Sequence, residues 1–125
     1  MSKQIMAYGS LRNGEYNFDR FQSIYGEDNF KYVRTTTIKG FEIYDLGSYP
    51  GLRISDNPDS TVVVDILEVN PDAYHSIYRM EIGARYTLAS VKDEETGDMY
   101  EIYLYNYEEG DLVENGDWSE YLKLV

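Results

Sequence analysis

Two groups of residues in this sequence have types and spacing suited to chemistry. The first is Tyr8-Gly9-Ser10-Leu11-Arg12-Asn13-Gly14-Glu15-Tyr16-Asn17, which follows the apolar run Ile5-Met6-Ala7. Gly9 and Gly14 let a loop turn tightly and bring main chain close to a ligand. Successive N–H groups in such a loop form a concave anion site. A helix starting just after it would add the positive end of its dipole. The same residues also suit a plain chain turn. The second is Glu81, set between Met80 and Ile82 just before Gly83-Ala84. Near a helix C-terminus in apolar surroundings, a carboxylate anion is penalised by lost solvation and by the negative dipole end. Its pKa then rises, making it a candidate general acid or base near neutral pH. The plain alternative is an exposed helix-end glutamate.

Other chemistries find less support. His75 is the only histidine, no serine sits in a nucleophile-elbow pattern, and His75 is expected to be exposed on a helix. One imidazole does not make a metal site. The chain has no cysteine, which excludes disulfides, thiolate nucleophiles and cysteine-ligated zinc. Asp93, Glu94, Glu95 and Asp98 are dense in carboxylates but lack the calcium-loop spacing, so a solvated hairpin tip is expected. The acidic tail of Glu108, Glu109, Asp111, Glu114 and Asp117 reads the same way.

The elements that must position these groups follow from periodicity. Residues 3–8 read as a first strand. Phe18, Phe21, Ile24 and Tyr25 recur at helical spacing, predicting a helix over 15–25 with one buried stripe. Strands are expected over 31–39, 41–46 and 52–54, with the turn cluster Gly47-Ser48-Tyr49-Pro50-Gly51 between the last two. Val62 to Val69 is apolar on both faces, as in a central strand. Asn70-Pro71-Asp72 starts a helix: Asn70 caps, Pro71 suits the first position and Asp72 complements the dipole. Val69 and Tyr74 are placed for a hydrophobic staple. This helix reaches Glu81 and should end at Gly83. Two strands, 85–92 and 99–107, flank the acidic hairpin, and a short segment around Trp118 closes the chain. Many strands with two short helices make an α+β chain, a small mixed β-barrel flanked by helices.

The chain has 125 residues, suiting one domain over 1–125, and 42% of them are hydrophobic. No apolar run is long enough to cross a bilayer, and no signal-peptide pattern opens the sequence, so no membrane partner and a cytoplasmic setting are expected. The net charge of −12 would repel a phosphate backbone, so nucleic acid is not an expected partner. Fourteen tyrosines can supply core bulk and hydroxyls directed at a ligand.

Four segments carry a resemblance. Tyr8-Gly9-Ser10-Leu11-x-x-Gly14 after the first strand resembles the opening signature of the gamma-glutamylcyclotransferase-like superfamily, in particular its AIG2-like members. Leu46-Gly47-Ser48-Tyr49-Pro50-Gly51 is similar to that family's Gly-x-Tyr-Pro pocket loop. Met80-Glu81-Ile82-Gly83-Ala84-Arg85-Tyr86 resembles the segment bearing its catalytic glutamate. Gly116-Asp117-Trp118-Ser119-Glu120-Tyr121-Leu122 resembles the closing Gly-Asp-Trp-x-x-Tyr-Leu of bacterial members. The chain departs from the pattern at Ile77-Tyr78-Arg79-Met80, where Leu-Asp-x-Leu is common, and at Ile82-Gly83-Ala84, where many members have Gly-Tyr.

The resemblance implies a compact β-barrel fold and gamma-glutamyl cyclotransfer. A small-molecule gamma-glutamyl amine or peptide would yield 5-oxoproline and a free amine, with no metal or organic cofactor. Glu81 would be the catalytic acid/base. Gly9, Ser10 and Leu11 would hold the α-carboxylate or the oxyanion, and Tyr8, Tyr49, Pro50 and Tyr86 would line the pocket. Two further functions suit the same residues: a carboxylate-binding module without turnover, and an interaction domain using a tyrosine-rich surface and the acidic tail. A retained glutamate at position 81 favours the enzyme. An exposed tyrosine patch and a glycine loop without a cavity would favour the interaction domain.

Overall fold

A computed structural model describes residues 2–125. The chain order is β1 (Lys3–Ala7), α1 (Tyr16–Tyr25), β2 (Phe30–Lys39), β3 (Phe41–Asp45), β4 (Pro50–Ile54), β5 (Thr61–Val69), α2 (Pro71–Gly83), β6 (Thr87–Lys92), β7 (Met99–Leu104), β8 (Asp111–Val113) and α3 (Trp118–Leu122). Five strands form one sheet in the order β2-β5-β1-β7-β6, and three form a second in the order β4-β3-β8.

The centre of the large sheet is built from its most apolar strands. Val62, Val64, Ile66, Leu67 and Val69 of β5 have no exposed surface. β1 pairs antiparallel with β5 on one side and parallel with β7 on the other. β1 therefore delivers the chain, at its C-terminal end, into the middle of the fold. The glycine loop begins there.

The α+β organisation matches the expectation, but the described strands do not close into one barrel. β2 and β6 are opposite edges of the five-stranded sheet and share no ladder. They are tied at one end instead. Glu94 N–H donates to Thr37 O at 3.2 Å, and the Asp93 carboxylate accepts from Thr36 Oγ1 at 2.5 Å and pairs with Arg34. Asp93 is thus no solvated hairpin tip: it is 0% exposed. Glu94, Glu95 and Asp98 do remain exposed.

A second stitch joins the two sheets. The Tyr8 hydroxyl donates to Tyr103 O at 2.8 Å at the end of β7 and accepts from Leu52 N in β4 at 3.1 Å. Tyr105 N–H, just past β7, donates to Leu52 O at 2.8 Å.

Element ends differ from expectation where tertiary contacts decide. β4 begins at Pro50, because Asp45 pairs with Pro50 and Tyr44 with Gly51 across the β3–β4 hairpin. β8 lies in what reads as an acidic loop; it forms because Ile43 and Val113 pair across the small sheet, and both are buried. In α1, Phe18 and Phe21 are buried while Ile24 is 62% exposed, so the buried stripe is narrower than the spacing suggests. α2 does end at Gly83, as expected, although Gly83 is not the left-handed residue. The left-handed residue is Arg85, at φ 74°, two positions later. No described helix is long and apolar enough to cross a membrane.

Candidate active site

The loop after β1 is pinned from behind. Arg12 is buried, its Nη1 lies 2.7 Å from Asp117 Oδ1, and its Nε lies 3.3 Å from Asp65 Oδ2. Asp65, 2% exposed on β5, also accepts from Asn13 N–H at 2.9 Å and from Thr35 Oγ1 at 2.7 Å. Asp117 reaches Arg12 because Gly116 turns there at φ 65°; a Cβ on Gly116 would lie 2.1 Å from Thr61 O. Asp117 also accepts from Glu120 N–H as the cap of α3. This acidic-tail residue is therefore a half-buried ion-pair partner, contrary to its reading as a solvated carboxylate. Arg12 is spent on the scaffold and does not face a ligand.

In front, the loop lies against the β3–β4 turn. A Cβ on Gly9 would sit 2.5 Å from Pro50 Cγ, so only glycine allows this approach. Tyr86, after α2, donates its hydroxyl to Pro50 O. Pro50 is thus held by the glycine loop on one side and by the Glu81 segment on the other.

The amides of Gly9, Ser10 and Leu11 donate to no acceptor among the described residues. Free neighbouring amides of this kind are the means by which loops hold anions. The helix dipole contributes less than expected. The second and third α1 amides, those of Asn17 and Phe18, donate to Ser10 O at 3.0 and 3.1 Å and fold back on the loop.

Glu81 reaches the same place from α2. Ala73 N–H donates to Asn70 Oδ1 at 2.8 Å, so the expected cap starts the helix. Ala73 and Ile77 are buried and fix its inner face. Glu81 follows Ile77 by one turn and shares that side. Its carboxylate is half-buried and has no hydrogen bond or ion pair among the described residues. Burial raises its pKa to about 7. The cause is desolvation alone, since no nearby anion is needed.

These parts enclose one cavity of about 550 Å³. Every residue expected at the site borders it: Tyr8, Gly9, Ser10, Leu11, Tyr49, Pro50, Glu81 and Tyr86. No Lys, Arg or His is among its described lining residues, so a bound anion would meet amides and phenols, not a cation. His75 is exposed and lies away from it. Among the described residues no group of three or more His, Cys, Asp and Glu is placed to hold a metal ion.

Several lining residues have no signal in the local sequence. Asn17 borders the cavity because its Nδ2 donates to Ser10 Oγ at 2.7 Å. Tyr103 enters from the far strand β7, and only the parallel pairing of β1 with β7 brings it alongside. The hydroxyl of Tyr8, expected simply to line the pocket, serves mainly as the stitch between sheets.

The comparisons with known proteins agree with this fold. The fold is similar to that of the uncharacterised protein PH0828 from Pyrococcus horikoshii, with TM-score 0.77 and 21% identity over 98% of this chain and 93% of that one. It is also similar to c4763, a uropathogenic E. coli-specific protein, with TM-score 0.81 and 15% identity over 100% and 98% of the two chains. A portion of Kluyveromyces lactis allophanate hydrolase shares it too, with TM-score 0.79 and 14% identity over 99% of this chain but 21% of the hydrolase. No curated protein sequence matches the chain. The family described as "Gamma-glutamyl cyclotransferase, AIG2-like" matches residues 5–120. With that match spanning nearly its whole length, the chain belongs to the AIG2-like gamma-glutamyl cyclotransferase family.

Proposed function

We propose that this protein catalyses gamma-glutamyl cyclotransfer, converting a gamma-glutamyl amine or peptide to 5-oxoproline and a free amine. The observation that carries the reading is a single unpartnered carboxylate, with its pKa lifted to about 7, in one cavity with three unpaired amides.

The substrate's α-ammonium has a pKa of about 8. Transfer of its proton to a carboxylate near 7 is close to thermoneutral, which an ordinary glutamate would not provide. Glu81 takes that proton. The freed nitrogen lone pair attacks the γ-carbonyl carbon of the same molecule, forming the new C–N bond and a tetrahedral oxyanion. The oxyanion collapses and the bond to the leaving nitrogen breaks. Glu81 returns the proton to that nitrogen, the new ring nitrogen sheds its second proton to the departing amine, which leaves as an ammonium, and no water or further reactant is consumed. The attack is intramolecular, and holding the chain folded supplies a large part of the acceleration. The amides of Gly9, Ser10 and Leu11 hold the α-carboxylate or the oxyanion. Tyr8, Tyr49, Pro50 and Tyr86 wall the cavity.

The test is incubation with a panel of gamma-glutamyl amines and peptides, followed by assay for 5-oxoproline. Formation of 5-oxoproline by the wild type, with loss in Glu81→Gln, is the expected result. Tight binding of panel members without any 5-oxoproline would instead make this a carboxylate-binding module.

A further inference from the structure

Three phenols bordering or reaching into the cavity sense the Glu81 charge. Burial first, and then neighbouring charges that include Glu81, raise the pKa of Tyr8, Tyr86 and Tyr103. All three hydroxyls therefore stay protonated and can donate. Two are already committed. Tyr8 donates to Tyr103 O, and Tyr86 donates to Pro50 O. The Tyr103 hydroxyl is buried and has no partner among the described residues. A buried hydroxyl left unsatisfied is costly, and a native structure has a reason for it.

The groups around Tyr103 leave few acceptors. Tyr74, Tyr78 and Glu81 of α2, and Glu101 two residues earlier on its own strand, are the groups whose charge raises its pKa, and of these Glu81 borders the same cavity as Tyr103. Glu101 is engaged by Lys3 at 2.9 Å and by the Tyr74 hydroxyl at 2.7 Å. Glu81 is the one carboxylate in this group without a donor. One donor and one acceptor, each unpartnered, thus border the same cavity from β7 and α2.

We propose that the Tyr103 hydroxyl donates a hydrogen bond to the ionised Glu81 carboxylate and is the positioning residue of the candidate general base. One carboxylate oxygen takes the phenol proton's hydrogen bond, and the other is left to face the substrate's α-ammonium. Tyr103 favours the anion of Glu81 and sets the direction of proton transfer without touching the substrate. Its effect on turnover rests on the cyclotransferase reading; its contact with Glu81 does not.

The experiment follows the Glu81 carboxyl carbon by NMR titration in wild type and Tyr103→Phe, with the resonance identified by its loss in Glu81→Gln. Tyr103→Phe keeps the ring and removes an oxygen that bonds to no described residue of the scaffold, so the fold should survive; an unchanged thermal melt confirms that. A hydrogen bond to a charged group is worth enough to move a pKa by about one unit. The expected result is an upward shift of about that size in Tyr103→Phe, with the acid limb of kcat moving by the same amount and KM near the wild-type value. An unchanged Glu81 titration overturns the proposal. So does a rise in KM with the acid limb unmoved, which would make Tyr103 a substrate contact. If the wild type forms no 5-oxoproline, the cyclotransferase reading fails, and the titration alone still decides on the Tyr103–Glu81 pair.

Discussion

Glu81 and Asp93 are both carboxylates withdrawn from water, and burial penalises the anion of each. Their surroundings then diverge. Asp93 is met by Thr36, Arg34, the Glu95 amide and Thr96, and these donors overcome burial and hold its pKa well below the usual aspartate range. Glu81 accepts from no described residue in the structure, the bond proposed from Tyr103 would be one donor against the four of Asp93, and burial lifts Glu81 to about 7. Withdrawal from water is common to both; the partners decide whether the carboxylate serves the fold or is left free for chemistry. Asp93 ties two sheet edges. Glu81 borders an open cavity of about 550 Å³.

The largest effect expected on this contrast is that of Glu81→Gln. The amide keeps the size of the side chain but takes no proton from the α-ammonium. General acid–base groups contribute roughly 10²- to 10⁴-fold, so 5-oxoproline formation should fall by about that factor while ligand affinity, measured calorimetrically, persists. Stability should not fall, because the folded protein favours the neutral form. Unchanged turnover would remove Glu81 from the chemistry.

Asp93→Ala should show the reverse pattern. It strands Thr36, Thr96, the Glu95 amide and Arg34, with a loss of about 3 kcal/mol in denaturant unfolding. The remaining folded fraction should keep its activity. If Asp93→Ala silenced the enzyme at full stability, the division between the two carboxylates would be wrong.

The two groups also predict opposite responses to pH. Between 4.5 and about 7 the folded protein holds a proton on Glu81 that the unfolded chain has released. Stability from this group is therefore present below that window and is lost as pH rises through it. Asp93 is ionised in the fold below its ordinary value of 3.8, so its contribution is complete above that value and is lost as pH falls beneath it. Stability curves of the wild type and the two variants separate these slopes: Glu81→Gln should flatten the first and Asp93→Ala the second. A smaller effect is expected for Thr36→Val, which removes one donor to Asp93 and should cost about 1.5 kcal/mol without altering turnover.

How much of this was legible in the sequence depended on the range of the interaction. Asn70-Pro71 and the loop glycines act on their own neighbours, so the α2 start and the Gly9 loop could be read locally. The residues that border the cavity could be named because four short segments at strand and helix ends resemble those of the family. Asp93 was not, because it sits in an acidic run, and only its pairing with the distant β2 edge separates it from Glu94 and Glu95. Arg12, Asp65 and Asp117 lie on three distant segments, and no local pattern joins them. Tyr103 is one of fourteen tyrosines, and nothing near it in the chain marks its hydroxyl as unpartnered. The α+β fold was legible but its open edges were not: strand count does not reveal whether the last two edges meet along a ladder or at one carboxylate.

The most direct test of the central claim is the pH profile of 5-oxoproline formation by the wild-type protein beside Glu81→Gln. The expected wild-type profile has an acid limb near 7, where Glu81 gains its proton, and Glu81→Gln should lose both most of the rate and that limb. A wild-type rate with no limb in that region, or a Glu81→Gln profile that retains it, would contradict the assignment of Glu81 as the group that moves the proton.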